Sequence, residues 1–352
     1  MNNTQSDQEK LYSDEKLSTS TYKCPNCGGE AIYDATSQKM LCQYCGSKFD
    51  IQTEGTISEK DLTELLSEAT VWNETQVYQC QSCGAKEIIS NKDIAKECSF
   101  CGNNNIVKSH ELPGLKPQGI VPFKMPMEKV ASIAKSWIKK KFYAPRKFKQ
   151  SAKAENIRSI YSPVFTFDTQ TQSTYEGKLG KHYTVNGKTY TRYFHIRGNH
   201  NYNFDDYIVQ ASSSIPTKTM HEISPFSTNG APKYNEDYLR GHVASTYNKD
   251  GRSCWTECQT LMTEEIKKQI LSKQSYDVVS YLNVNTAYLK QKYKYVLVPV
   301  YIGHHTYKGK LYNFYINGET GKITGKTPIS GFKVFLTVLA VLAVIAGILY
   351  LS

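Results

Sequence analysis

The chain has 352 residues, room for two or three domains of ordinary size. Hydrophobic residues make up 39% and charged residues 21%, which excludes a multi-span membrane protein and a broadly disordered chain. The net charge of +11 is unevenly divided: residues 1–110 carry 10 lysines and no arginine against 16 acids, whereas residues 111–352 carry 33 basic residues against 16 acids. Any function that uses positive charge therefore belongs to the second part.

Residues 1–20 are polar and charge-mixed, with no apolar run, so they read as a disordered lead and not as a secretory signal. Eight of the ten cysteines follow as four C-x-x-C pairs: Cys24/Cys27, Cys42/Cys45, Cys80/Cys83 and Cys98/Cys101. Fourteen residues separate the inner cysteines of each set, the second set is the first shifted by 56 positions, and a glycine follows every pair (Gly28, Gly46, Gly84, Gly102). This is an internal duplication, with units at 21–50 and 78–110. Four thiolates must converge tetrahedrally at about 2.3 Å from a zinc ion, and a C-x-x-C turn delivers two of them from one side. The following glycine supplies the positive φ by which the chain leaves the turn. A chain without an export signal keeps its thiols reduced, which disfavours disulfides. The pattern therefore predicts two structural four-cysteine sites with two metal ions per chain, zinc favoured over iron, and no open coordination position for catalysis. The acidic charge of this region argues against nucleic acid as its partner, because phosphate binding depends on lysine and arginine. In the linker, 51–77, Ser58-Glu59-Lys60-Asp61 reads as the start of a short helix that presents Leu62, Leu65 and Leu66 to a ribbon.

The Pro/Gly-bearing stretch Leu112-Pro113-Gly114-Leu115-Lys116-Pro117 reads as a boundary, opening an α+β domain over 111–331. After Pro126, Met127, Val130, Ala134, Trp137, Ile138 and Phe142 recur at helical spacing. Between Lys135 and Lys153 lie eight basic residues and no acid. The apolar stripe reads as a core-facing helix side, and Lys139, Lys140, Lys141, Arg146 and Lys147 as candidates for contact with an anionic membrane surface. Residues 158–215 read as strands, with Asn186-Gly187 as a hairpin turn. Residues 236–247 and 257–292 read as helices, the second with Leu261, Ile266, Ile270 and Leu271 on one face and a break near Ser275. YKYVLVPVYIG is an apolar strand, followed by a hairpin whose turn holds Asn317-Gly318 or Thr320-Gly321. The SPVFTF and VPVYIG segments resemble each other and suggest two degenerate halves of the domain.

No P-loop, zincin, nucleophile-elbow or dinucleotide motif occurs, which gives the expectation of a non-enzyme. The local pairs His195/His200, His304/His305 and Asp205/Asp206 read as structural groups, and Cys254 and Cys258 as thiols outside any metal set. From Val334 to Ser352, nineteen residues carry no charge and no proline. At about 1.5 Å per residue this segment reaches roughly 28 Å, close to a bilayer core. Residues 332–352 therefore read as a single C-terminal anchor. Lys322, Lys326 and Lys333 before it place residues 1–331 in the cytoplasm by the positive-inside rule. Ala343 and Gly347 form a small-xxx-small pair compatible with homo-oligomers.

The expected fold class is α+β: two small N-terminal zinc ribbons, a mainly antiparallel α+β domain, and one transmembrane helix. The duplicated cysteine pattern, QGIVPF at 118–123, the PVY strand, NGETGKITG and the terminal span together resemble the Firmicute TFIIB-type double zinc-ribbon membrane proteins, the YdjG-like proteins among them, over nearly the whole chain. Members of that family often carry a replication factor Y or primosomal helicase label, which the missing P-loop contradicts here. The resemblance implies protein partners of the phage-shock and flotillin-like envelope-stress classes. Two function classes follow: a membrane-anchored adaptor that binds proteins and lipids at the inner membrane surface, and a membrane-tethered nucleic-acid binder that uses the basic second domain.

Overall fold

A computed structural model describes residues 23–67, 77–88, 98–104, 106–109, 115–151 and 157–351. The lead at 1–20, the boundary residues Leu112, Pro113 and Gly114, and Lys153 lie outside the described residues.

The fold is α+β with largely antiparallel sheet. The first four-cysteine unit is a small sheet of β1 (Ala31–Asp34), β2 (Lys39–Cys42) and β3 (Lys48–Phe49). β4 (Lys60–Asp61) leads into α1 (Leu62–Ser67). Asp61 caps this helix, its carboxylate accepting from the Thr63 N–H at 2.9 Å. The helix does not pack on a ribbon as the sequence suggested. Leu62 and Leu65 join Phe165, Trp255 and Cys258 in a core cluster of the main domain. Glycine at 251 makes this possible, since a Cβ there would meet the Leu65 side chain.

The second unit holds β5 (Val77–Cys80), β6 (Lys86–Ile88) and β7 (Ile106–Ser109), and these strands are continuous with the main sheet. Next come β8 (Gly119–Ile120), α2 (Met127–Lys140) and α3 (Arg146–Ser151). The stripe on α2 buries Val130, Ala134 and Ile138 and half-buries Trp137, but Met127 is exposed in the first turn and Phe142, expected to continue the stripe, lies beyond the helix end and is exposed.

Three long strands organise the rest: β9 (Ile157–Val185), β10 (Lys188–Gln210) and β12 (Val278–Tyr307). β9 and β10 form the hairpin expected at Asn186-Gly187, both residues having positive φ. β12 lies antiparallel on the other side of β9. Between them are α4 (Thr217–Ile223), β11 (Val243–Ser245) and α5 (Gly251–Ser272), and β13 (Lys310–Asn317) and β14 (Ile323–Gly325) extend the sheet beyond β12. β11 pairs with β6 on one side and with β9 on the other, tying the second cysteine unit into the sheet.

Two of the expected helices are corrected. Over 236–247 only a single 3₁₀ turn forms, Glu236–Leu239. Gly241 then takes φ +86° and the chain enters β11. Over 257–292 the helix ends at Ser272, near the expected break, and Val278 onward is strand. Half-buried Leu282, Val284, Thr286 and Tyr288 alternate there with exposed Asn283, Asn285, Ala287 and Leu289, a period of two. The buried face of α5 is Cys254, Cys258, Met262, Ile266 and Ile270, whereas Leu261 and Leu271 are half-buried.

Phe123 sits where the first cysteine unit, the sheet and the last hairpin meet. Its ring meets Tyr161 and Tyr301 edge-on at 4.8 Å and stacks on His242 at 4.3 Å. Such aromatic pairs add about 0.5–1.5 kcal/mol each beyond area burial. A Cβ at Gly318 would enter this ring, so the Asn317-Gly318 turn can close over it only with glycine. The Asn317 side chain also holds the turn, accepting from the Glu319 and Thr320 N–H groups at 2.8 and 2.9 Å.

The last helix, α6 (Gly331–Leu351), carries Lys333 in its first turn and is uncharged on every face beyond it, and among the described residues none buries its span Gly331–Leu349. It is long and apolar enough to cross a membrane.

Candidate metal centres

Each C-x-x-C pair builds the same turn. The glycine N–H donates to the carbonyl of the first cysteine: Gly28 to Cys24, Gly46 to Cys42, Gly84 to Cys80 and Gly102 to Cys98, at 2.8–3.0 Å. These glycines take φ of +71°, +73°, +74° and +70°, a region that L side chains enter only with strain. Each first cysteine also donates its N–H to the carbonyl five residues on, so the turn is closed from both ends.

The turns bring the sulfurs together in two sets. Within each set the four Sγ atoms lie within 4.8 Å of one another. Cys24 and Cys45 are 3.5 Å apart, as are Cys27 and Cys42; Cys80 and Cys101 are 3.7 Å apart, and Cys83 and Cys98 are 3.6 Å apart. These separations are far too long for disulfides. A tetrahedron of sulfurs at about 2.3 Å from zinc has edges of about 3.8 Å, so both sets fit such an ion closely. All eight predicted ligands thus converge in two closed donor sets, each able to hold a metal ion.

The two sites differ in their surroundings. In the first, Asn26 donates to the Ser47 hydroxyl at 2.9 Å, linking the two turns. In the second, buried Glu87 accepts the Ser99 N–H at 2.9 Å, and burial pushes its carboxyl up to about 7. The residue 56 positions earlier is Ala31. Likewise, Tyr44 on the first unit is 79% exposed, whereas its counterpart Phe100 is buried in a core cluster. Tyr33 anchors the first unit: its hydroxyl donates to the Phe123 carbonyl at 2.9 Å and its ring meets Tyr238 at 5.3 Å.

The basic candidates gather at the base of α6. Lys139, Lys140, Arg146 and Lys147 are exposed, and half-buried Lys141 lies over the Trp137 ring at 4.4 Å. Lys333, in the first turn of α6, donates to the carbonyls of Phe142 and Ala144 at 2.7 and 2.8 Å, and the Ser330 N–H donates to the Tyr143 carbonyl at 2.9 Å. The α2–α3 turn is therefore bonded to the start of the apolar helix.

Among the other singled-out groups, two cysteines are buried and one histidine is hydrogen-bonded in the fold. Cys254 and Cys258 are fully buried on α5, and burial pushes the Cys254 thiol up to about 12. His200 meets the Gln269 side-chain oxygen at 2.9 Å. Sequence reasoning missed one cluster, Glu59, Asp168 and Asp205, whose carboxylates lie within reach of one another. The buried Lys294 ammonium supplies the countercharge, 2.6 Å from Asp206, 3.7 Å from Glu59 and 4.0 Å from Asp168. Burial raises Asp168 to about 6. Bulges between Phe204 and Tyr207 and between Leu289 and Lys292 assemble this network, and no local pattern announces either bulge.

Fold and sites together define an α+β protein with two four-cysteine metal sites and a C-terminal helix of membrane-spanning length. Along nearly its whole length the chain is similar to "Uncharacterized protein YdjG" of Bacillus subtilis (strain 168): 27% identical over 321 residues, 89% of this chain and 92% of that protein. No family model matches the chain, and no solved structure matches it.

Proposed function

We propose that the protein is a membrane-anchored zinc-ribbon adaptor. It holds two structural zinc ions and binds cytosolic protein partners at the inner membrane surface, with residues 1–331 in the cytoplasm. The observation that carries this reading is the combination of two closed four-thiolate sites, the first packed on the main domain through Tyr33 and Met40 and the second built into its sheet, and an apolar helix whose span no described residue buries. Closed sites stabilise structure and do not turn over substrate. Once bound, each zinc with four thiolates adds further negative charge to an already acidic region, which favours protein over phosphate. Exposed Tyr44, on a turn stiffened by the metal, is the kind of rigid aromatic anchor that dominates protein interfaces. Lys139, Lys140, Lys141, Arg146 and Lys147, bonded through the α2–α3 turn to the start of α6, hold the domain against anionic lipid. By the family resemblance, the partners proposed are envelope-stress proteins of the flotillin-like and phage-shock classes.

The test is site-specific photo-crosslinking from position 44 in intact membranes. Discrete protein adducts that vanish when Cys24→Ser breaks the first site support the adaptor. Tight DNA or RNA binding by the detergent-solubilised full chain at physiological salt, with a steep log–log salt slope, would replace this reading with the nucleic-acid one.

A further inference from the structure

We infer that the cavity at the base of α6 is a binding site for the headgroup of an anionic phospholipid. The inference rests on the reading that α6 spans a membrane.

The cavity has a volume of about 450 Å³ and lies between the β12–β13 turn, the α2–α3 turn and the residues that lead into α6. That volume suits a small polar group. Lys308, Lys310, Tyr307 and Tyr312 supply its polar side, and no acid lines it. Among the described residues no carboxylate comes within ion-pair distance of Lys308 or Lys310. Phe148 of α3 packs edge-on against both tyrosines, at 5.8 Å from Tyr307 and 5.7 Å from Tyr312, which fixes the wall. The turn carrying the lysines is a tight two-residue one, with Lys308 at φ +51° and Gly309 at φ +73°.

The opposite rim has different chemistry. Ile329 and Phe332 are 71% and 70% exposed, and the apolar span continues directly from them. Two lysines and two tyrosines therefore line the same space as the first apolar residues of the span. A phospholipid presents that same sequence of chemistry: an anionic phosphodiester, then the glycerol region, then acyl chains. Free inorganic phosphate would use the lysines but would gain nothing from Ile329 and Phe332. The geometry thus selects the lipid form of the phosphate.

The experiment uses the full chain in a neutral detergent, with retained lipid measured by native mass spectrometry. Phosphatidylglycerol should be retained about thirtyfold more strongly than phosphatidylcholine, as expected for two basic side chains at a headgroup. Lys308→Gln with Lys310→Gln should abolish that preference, and either single change should reduce it, with zinc content unchanged. Lys188→Gln with Lys268→Gln, exposed positions on the β9–β10 hairpin and on α5, should leave it intact. Equal retention of the two lipids overturns the site. An equal loss from both lysine pairs also overturns it, in favour of a diffuse basic patch. Displacement of phosphatidylglycerol by millimolar inorganic phosphate reassigns the cavity to the free ion. Should the full chain remain soluble without detergent, the membrane reading itself fails, and the site fails with it.

Discussion

His242 lies on the seam between the first cysteine unit and the sheet, stacked on Phe123 at 4.3 Å and tilted against Tyr33 at 6.0 Å. The residue keeps some surface, but both ring nitrogens are sealed from solvent and have no hydrogen-bond partner among the described residues. Burial therefore lowers its pKa from 6.5 to about 4. A drop of that size corresponds to about 3 kcal/mol between the two protonation states. The imidazole is neutral in the folded protein but takes up a proton below about 6.5 once the chain unfolds. Its contribution to stability is complete above pH 6.5 and is lost as the pH falls through about 4. His242→Phe keeps the ring stack and removes the titration. Urea midpoints measured from pH 7.5 to 4.5 on both proteins should separate steadily, the variant gaining up to about 3 kcal/mol relative to the parent at the acid end. Metal loss in acid affects both proteins alike, so the difference between them reports the imidazole. Parallel curves over the whole range would refute the sealed-imidazole argument.

Cys42→Ser and Cys98→Ser should each remove one bound zinc and spare the other, as elemental analysis of purified protein will show. The second change should cost more stability, because Cys80, Cys98 and Phe100 belong to a core cluster of the main sheet whereas the first unit has a sheet of its own. Tyr33→Phe should lower stability by about 1 kcal/mol in urea melts, the worth of one buried hydrogen bond. Deleting residues 332–352 should move the protein from the membrane pellet to the soluble fraction on ultracentrifugation, since α6 is the one membrane-length apolar helix among the described residues.

The parts legible in the sequence are those whose geometry is local. Four C-x-x-C-G turns and one Asn-Gly hairpin each fit within a few residues, and all five form as their spacing requires. The buried stripe on α2 and the apolarity of α6 beyond Lys333 are equally self-contained. The failures lie where a partner is distant in sequence. Residues 278–289 are strand because β9, about a hundred positions earlier, offers an edge to pair with, and their alternating asparagines resemble the polar side of a helix. The duplication predicts two equivalent ribbons, yet only tertiary pairing of β6 with β11 shows that the second is built into the sheet. Tyr44 and Phe100 occupy matching positions and have opposite exposure for the same reason. The Lys294 network depends on two bulges that bring Glu59, Asp168 and Asp206 around one ammonium.

Metal content is the measurement that bears most directly on the account. The full chain, extracted from membranes under reducing, zinc-replete conditions, should contain two zinc ions per polypeptide and negligible iron by elemental analysis, because two sets of four thiols are closed to the dimensions of a zinc–thiolate tetrahedron. One metal per chain, none, or iron in place of zinc would contradict it.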